Sequence, residues 1–306
     1  MSGTAGRAPG TNDVRRRTRP IARLNRPTRP GRGGGLVDAA GTIGLAVAGL
    51  ALVCLLALPL VSLLVRVPPG ALLERWRDPA VVNALRLSLV TSAASTAVVI
   101  ALGLPAAWFL ATTTFPGKRL LEVLIDLPLV LPPTVAGVAL LAAFGRAGLA
   151  GSTLAALGVH LPFTTLGVIV AQAFVAMPFF IGATRAGLAE VEQRYLDTAA
   201  TLRTPPGAVF LRVMLPLAMP SLLAGTAMSW ARALGEFGAT ITFAGNMPGI
   251  TQTMPLAVYI ALQSDLDAAV ALSVMLLLLS LAVLLVLRLA PLGLPVTVPR
   301  AHRPTR

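Results

Sequence analysis

The chain has 306 residues, 56% of them hydrophobic and 12% charged, with a mean hydropathy of +0.80. Soluble domains carry about 25% charged residues, so that class is excluded. Apolar runs longer than the ~18 residues that mark a helical span define an all-α polytopic membrane protein. These runs are continuous, without period-2 alternation, which excludes a transmembrane β-barrel.

Residues 1–35 hold nine arginines against a single acid, Asp13, among many Pro and Gly. Such a segment cannot bury a core and is expected to be a disordered cytoplasmic tail. Its simplest role is a positive-inside anchor for the next helix. The competing role is a patch for lipid headgroups or nucleic acid, which would make the chain a membrane-tethered nucleic-acid-binding protein. The apolar run that follows, 36–66, is too long for the core of a signal peptide and lacks a small-residue cleavage site, so it reads as an uncleaved first transmembrane helix. It contains Cys54, the one cysteine, so neither an intrachain disulfide nor a cysteine metal cluster is expected. No metal site is expected elsewhere, and His160 reads as a loop residue.

Six spans follow from hydropathy, at about 37–65, 81–111, 120–143, 162–183, 217–243 and 268–289. With the N-terminus inside, the inner segments hold the tail, Lys118, Arg119, Arg185, Arg194, Arg203, Arg212, Arg288, Arg300, Arg303 and Arg306. The outer loops keep Arg66, Arg75, Arg77 and Arg146. This asymmetry favours N-in/C-in, with 291–306 as a cytoplasmic C-terminal tail. The third span carries Pro128, Pro132 and Pro133. Each removes a backbone donor, and broken backbone at membrane depth is tolerated where protein or a water-filled cavity surrounds it. Glu122 and Asp126, near the start of that span, read as an interface pair.

The hydrophilic stretch 184–216 is the longest between spans. In it EVEQRYLDTAATL reads as a short helix, stopped by Pro205-Pro206. A short helix offered to the cytoplasm suits docking into a groove on a partner. The stretch resembles the coupling loop of ABC-importer permeases, in which Glu-Ala-Ala, a Gly four residues on and a later Leu-Pro recur. Aligned through Leu215 and Pro216, the Glu-Ala-Ala positions fall on Asp197, Thr198 and Ala199, and the Gly position on Arg203. Three further blocks, LPLVLPPTVAGVALL (127–141), GVIVAQAFVAMPFFI (167–181) and RALGEFGATITFAGN (232–246) with TQTMPLAVY (251–259), look like the permease subunit of molybdate ABC transporters. The sulfate and tungstate permeases are close relatives. The likeness covers about 80–290.

That resemblance implies the type I ABC-importer permease architecture, forming half of a homodimeric pore. It implies two cytoplasmic ATPase subunits, an extracytoplasmic molybdate-binding protein and alternating access within membrane lipid, with no nucleic acid bound. The chain would then be no enzyme and would carry no cofactor; ATP and Mg would be bound by the partner ATPase. Consistent with this, Gly117-Lys118 is followed by Arg119 and lacks the preceding Gly of a phosphate-cradling loop. Sulfate or tungstate is the alternative cargo.

Within the fifth span, Arg232 and Glu236 stand four residues apart. Each charge near a helix centre costs about 2.5–3.5 kcal/mol on insertion scales, and at this spacing the two share one helical face and can pair. They are gate or pathway candidates, as are the hydrogen-bonding side chains Thr134, Thr240, Thr242, Thr251, Gln252 and Thr253. An anion conduit needs weak sites rather than a free arginine.

Overall fold

The computed structural model describes residues 34–289, and the Arg-rich segment before them and the C-terminal tail after them lie outside the described residues. The chain divides into two units, one up to Leu58 and one from Pro59. All the described secondary structure is helical. Among the described residues, five helices are long and apolar enough to cross a membrane: Gly41–Arg66, Pro79–Thr112, Thr165–Ala189, Pro206–Leu234 and Leu266–Val286.

The first unit consists, among the described residues, of the larger part of α1 (Gly34–Arg66). From Gly41 to Leu58 every residue of this helix is exposed, although the segment is almost wholly apolar. A helix that is hydrophobic all round belongs in a lipid environment or a large core.

The second unit is built on α3 (Pro79–Thr112), α7 (Thr165–Ala189) and α10 (Leu215–Leu234). α3 starts where the Asp78 carboxylate accepts from the Ala80 N–H and Pro79 takes the first turn, where its missing donor costs nothing. α7 starts on Thr164, whose hydroxyl oxygen accepts from the Gly167 N–H. Small residues set the spacing of the three helices. A Cβ on Gly187 would lie 2.3 Å from Ser221 Cβ, one on Gly103 2.8 Å from the Phe180 ring, and one on Gly225 3.0 Å from Ala183 Cβ. Only glycine permits this closeness, which is how membrane helices gain packing without a hydrophobic drive. Five buried hydroxyls, Ser88, Thr91, Ser92, Ser95 and Thr96, run along α3. Four of them donate to carbonyls of their own helix, while Ser88 Oγ accepts from the Met254 N–H at 2.7 Å.

The expected third span is two helices. α4 (Lys118–Val130) and α5 (Pro133–Phe144) are separated by Leu131 and Pro132 in extended conformation. The consecutive prolines remove two donors and bias the preceding residue out of the helix, so the interruption is written in the sequence. Glu122 of α4 meets the Arg185 guanidinium of α7 at 2.5 Å.

The expected fifth span also differs. It starts earlier, at Pro206, through the short α9 (Pro206–Val209) and a π-helical turn, Phe210–Met214, before α10. It ends at Leu234 rather than near 243; Gly235 to Phe237 are non-helical and α11 (Gly238–Phe243) follows as a separate turn and a half. Gly238 packs so closely on α5 that a Cβ there would lie 2.4 Å from Pro133 Cβ. α12 (Met254–Ser264) and α13 (Leu266–Leu289) complete the unit, packed on α3 around Val81, Leu85, Met254 and Leu272. Three short helices, α2 (Pro69–Arg75), α6 (Gly151–Ala156) and α8 (Gln193–Thr201), lie in the connections.

Candidate functional site

The segment between α7 and α10 forms the first region of interest. α8 is amphipathic: Ala199 is buried, and Leu196 packs against a core that includes Leu188, Phe210 and Met214. Its opposite face exposes Asp197 and Thr198. Thr198 Oγ1 donates to the Arg194 carbonyl at 2.8 Å, and Gln193 Nε2 donates to Asp197 Oδ1 at 3.1 Å. Arg194 pairs with Glu192 at 2.7 Å and lies over the Tyr195 ring, and the Glu192 carboxylate holds its guanidinium in the charged form more firmly than usual.

α8 ends through a pair of reversed hydrogen bonds. The Arg203 N–H donates to the Ala200 carbonyl and the Thr204 N–H to the Ala199 carbonyl. This closure needs a left-handed residue, the position glycine usually fills. Here it is Arg203, at φ 51°, exposed beside Leu202, which is 73% exposed. A non-glycine residue in this region costs roughly 1–2 kcal/mol. The helix end therefore keeps the shape that the Gly-containing motif implies, at a conformational cost. From Pro206 the chain enters the π turn, where Phe210 stacks on Trp108 of α3 with ring centroids 4.5 Å apart. Leu215 and the exposed Pro216 then open α10. The segment is thus joined to α3, α7 and α10 through one continuous core around Leu110, Leu188, Phe210 and Met214.

The second region is the break after α10. Arg232 is in the last helical turn and Glu236 lies beyond the helix end, so the two do not share a helical face as expected, although they do pair. Arg232 Nη1 is 2.6 Å from Glu236 Oε2. The other carboxylate oxygen, Oε1, accepts from the Ala239 N–H of α11 at 2.8 Å. The Glu236 side chain is 1% exposed and that of Arg232 30%, so the arginine is partly open to the surface while the carboxylate stays inside. The cation sits at the negative end of one helix and the anion at the positive end of the next, an arrangement both backbone dipoles favour. One side chain therefore neutralises the arginine and satisfies a backbone donor left open by the break. Phe237 packs against Tyr259 of α12, with ring centroids 4.9 Å apart.

The remaining polar candidates are scattered. Thr134 is exposed at the start of α5, and Thr242 and Gln252 are half-buried. Thr240, Thr251 and Thr253 are fully buried. Thr251 Oγ1 accepts from the Met247 N–H and closes a turn, and Thr242 Oγ1 donates to the Gly238 carbonyl within α11. Sequence reasoning missed Gln172 of α7, which has no exposure and no hydrogen-bond partner for either amide atom. It also missed the Arg75–Asp265 pair at 3.2 Å; the Ala268 N–H, followed by Arg75, holds the Asp265 carboxyl below its ordinary value.

Several apolar helices of spanning length, with two interruptions and a short exposed helix between them in the chain, define a multi-pass membrane protein. Residues 79–291 match the family model described as "Binding-protein-dependent transport system inner membrane component", and the chain belongs to that family. The molybdenum transport system permease protein ModB of Mycobacterium tuberculosis is 45% identical over 240 residues, covering 78% of this chain and 90% of that one. The sulfate transport system permease protein CysT of Escherichia coli is 37% identical over 237 residues, covering 76% and 86%. Among solved structures, a bacterial ABC transporter involved in the import of the acidic polysaccharide alginate matches with a TM-score of 0.70 at 12% identity, covering 83% of this chain and 96% of that one. At that identity the likeness concerns the fold alone.

Proposed function

We propose that the chain is the membrane-spanning subunit of an ATP-driven importer that carries molybdate inward across the cytoplasmic membrane. The observation that carries this reading is the 45% identity to molybdenum permeases along 78% of the chain, against 37% for the sulfate permease. Chemistry at ATP belongs to a partner, and this chain supplies the element with two arrangements. The α8 segment, with Asp197 and Thr198 outward and Arg203 at its end, is the surface offered to a cytoplasmic ATPase subunit, two copies of the chain pairing with two such subunits. An extracytoplasmic binding protein delivers the oxyanion, and a second copy of the chain completes the pathway.

Force applied at α8 would pass through the Leu188–Phe210–Met214 core to α10, and along α10 to the break at Gly235–Phe237. There Arg232 is neutralised by Glu236, so the region does not trap an oxyanion. Conduction requires sites weak enough to release their cargo.

Uptake of labelled molybdate in cells lacking this chain alone tests the reading, with and without excess sulfate. Loss of uptake, restored by the gene and insensitive to sulfate, is the expected result. Normal molybdate uptake with impaired sulfate or tungstate uptake would move the cargo to the alternative oxyanions. Deleting residues 1–32 is expected to leave uptake intact. Loss of uptake at normal membrane levels would give the tail a role in transport.

A further inference from the structure

α4 is lightly anchored. None of its residues is buried, and it lies between two breaks: Gly117 in the left-handed region at φ 89° before it, and the extended Leu131 and Pro132 after it. Element ends of this kind absorb the backbone change when a helix moves as a unit. Lys118 Nζ donates to the Thr113 carbonyl at 3.0 Å, Ile125 packs on the core around Leu188, Phe210 and Met214, and Glu122 pairs with Arg185 of α7.

Glu122 and Arg185 line a cavity of about 10 Å³ between α3, α4 and α7, room for one water at most. Asp126, one helical turn further along α4, lines the same cavity, and so does Gly182, three residues before Arg185 on α7. Asp126 is exposed on the protomer and has neither an ion pair nor a hydrogen bond among the described residues. A carboxylate in a span is costly, and such groups almost always find a partner or face a pathway. A helical side chain leans toward the N-terminus of its own helix, so Arg185 leans over the turn that holds Gly182. That turn is clear: a Cβ on Gly182 would meet nothing within 4 Å. The guanidinium therefore has one carboxylate in hand, a second one turn along the same helix, and open space between them.

We propose that Arg185 is a two-position latch: it pairs with Glu122 in the described arrangement and with Asp126 in a second one, reached when α4 slides along α7. The slide is at most one helical turn, about 5.4 Å. One guanidinium serves both positions, so α4 moves without leaving the arginine uncompensated. The motion has an outlet, because α4 leads through Leu131 and Pro132 into α5, and Pro133 at the start of α5 packs on Gly238 just past the break after α10. Arg185 and Asp126 are then positioning residues that act through α4. Their consequence for transport rests on the importer reading.

The test uses the full chain. Glu122→Gln, Asp126→Asn and the double variant are compared with the wild type in the Tm of the purified chain and in the uptake of labelled molybdate by cells. Asp126→Asn is expected to leave Tm unchanged, because the carboxylate has no partner in the described arrangement. It is expected to lower uptake roughly two- to fivefold, the worth of one partly exposed ion pair, while Asp126→Glu retains uptake. Glu122→Gln is expected to lower Tm only slightly, because Asp126 takes over the arginine. The double variant strips both partners and is expected to lose more Tm than the two single variants together. Failure of the double variant alone to accumulate is the same synergy in its extreme form. Additive Tm changes would show that Asp126 never receives Arg185 and would overturn the proposal, as would unchanged uptake in Asp126→Asn. If the wild-type chain moves no molybdate, the importer reading fails instead, and the Tm comparison alone decides the latch.

Discussion

The two contacts of α7 are built to opposite specifications. Against α10 the backbones are pressed together by Gly187 and Gly225, and the Ser229 hydroxyl finds a carbonyl across the interface. Against α11 the partner is only six residues long and follows the non-helical break at Gly235–Phe237. The first is a spine whose position is fixed by steric contact. The second is apolar packing of Ala171 and Val175 on Ala239 and Phe243, without a side-chain hydrogen bond shown across it among the described residues. A transporter needs both: a lever stiff enough to carry a push, and an end that yields when pushed.

The sharpest way to break this comparison is to wedge the spine. Gly187→Val places atoms inside the space of Ser221, where a Cβ alone would come to 2.3 Å. Overpacking of this kind costs about 1–3 kcal/mol or more. The yield of folded, detergent-stable chain should collapse, and a normal yield would mean that α7 and α10 slide as readily as α7 and α11.

The next largest effect is expected at the hinge. Glu236→Gln removes the countercharge of Arg232 while the guanidinium stays partly enclosed, which should cost about 1–3 kcal/mol in stability. The double change with Arg232→Gln should cost less than the sum of the singles. Denaturation midpoints of the four proteins measure this, and strict additivity would show that the pair does no structural work.

At the far end of the lever, Arg203→Gly should raise stability by about 1 kcal/mol or less. It relieves the left-handed strain and gives back part of the gain as unfolded-state entropy. Unchanged or lower Tm would mean that the arginine side chain compensates its own backbone. Smallest of the four, Ser229→Ala should cost about 0.6 kcal/mol, the average for hydrogen bonds between membrane helices. A larger loss in uptake than in Tm would transfer Ser229 from the spine to the moving parts.

The fold was legible in the sequence wherever the signal was compositional. The apolar runs marked the long helices, and Pro132-Pro133 marked the interruption between α4 and α5. The hinge after α10 was not legible as such, because AlaLeuGly…PheGlyAla continues the apolar texture and hydropathy does not register a change of backbone direction. Gly235 and Gly238, three residues apart, were the available signal, and they read equally well as close-packing glycines inside a helix. The separation of Arg232 and Glu236 led to the correct pair by a different geometry: a residue just past a helix end also reaches back to the last turn. The early start at Pro206 was hidden by Arg212, which lowers local hydropathy although the π turn carries it outward. Gln172 escaped notice because one amide in VIVAQAFVA reads as a polar interruption in a span, and only burial reveals that nothing meets it.

The stacking of Trp108 on Phe210 has a practical side. An indole packed against a ring at the root of the α8 segment is a built-in optical gauge. Of the three tryptophans, Trp76 is 60% exposed and Trp230 lies near the hinge on α10, whereas Trp108 alone touches the π turn where the segment joins its lever. With Trp76 and Trp230 replaced by phenylalanine, the remaining emission reports, without any attached dye, each time that joint loosens or closes.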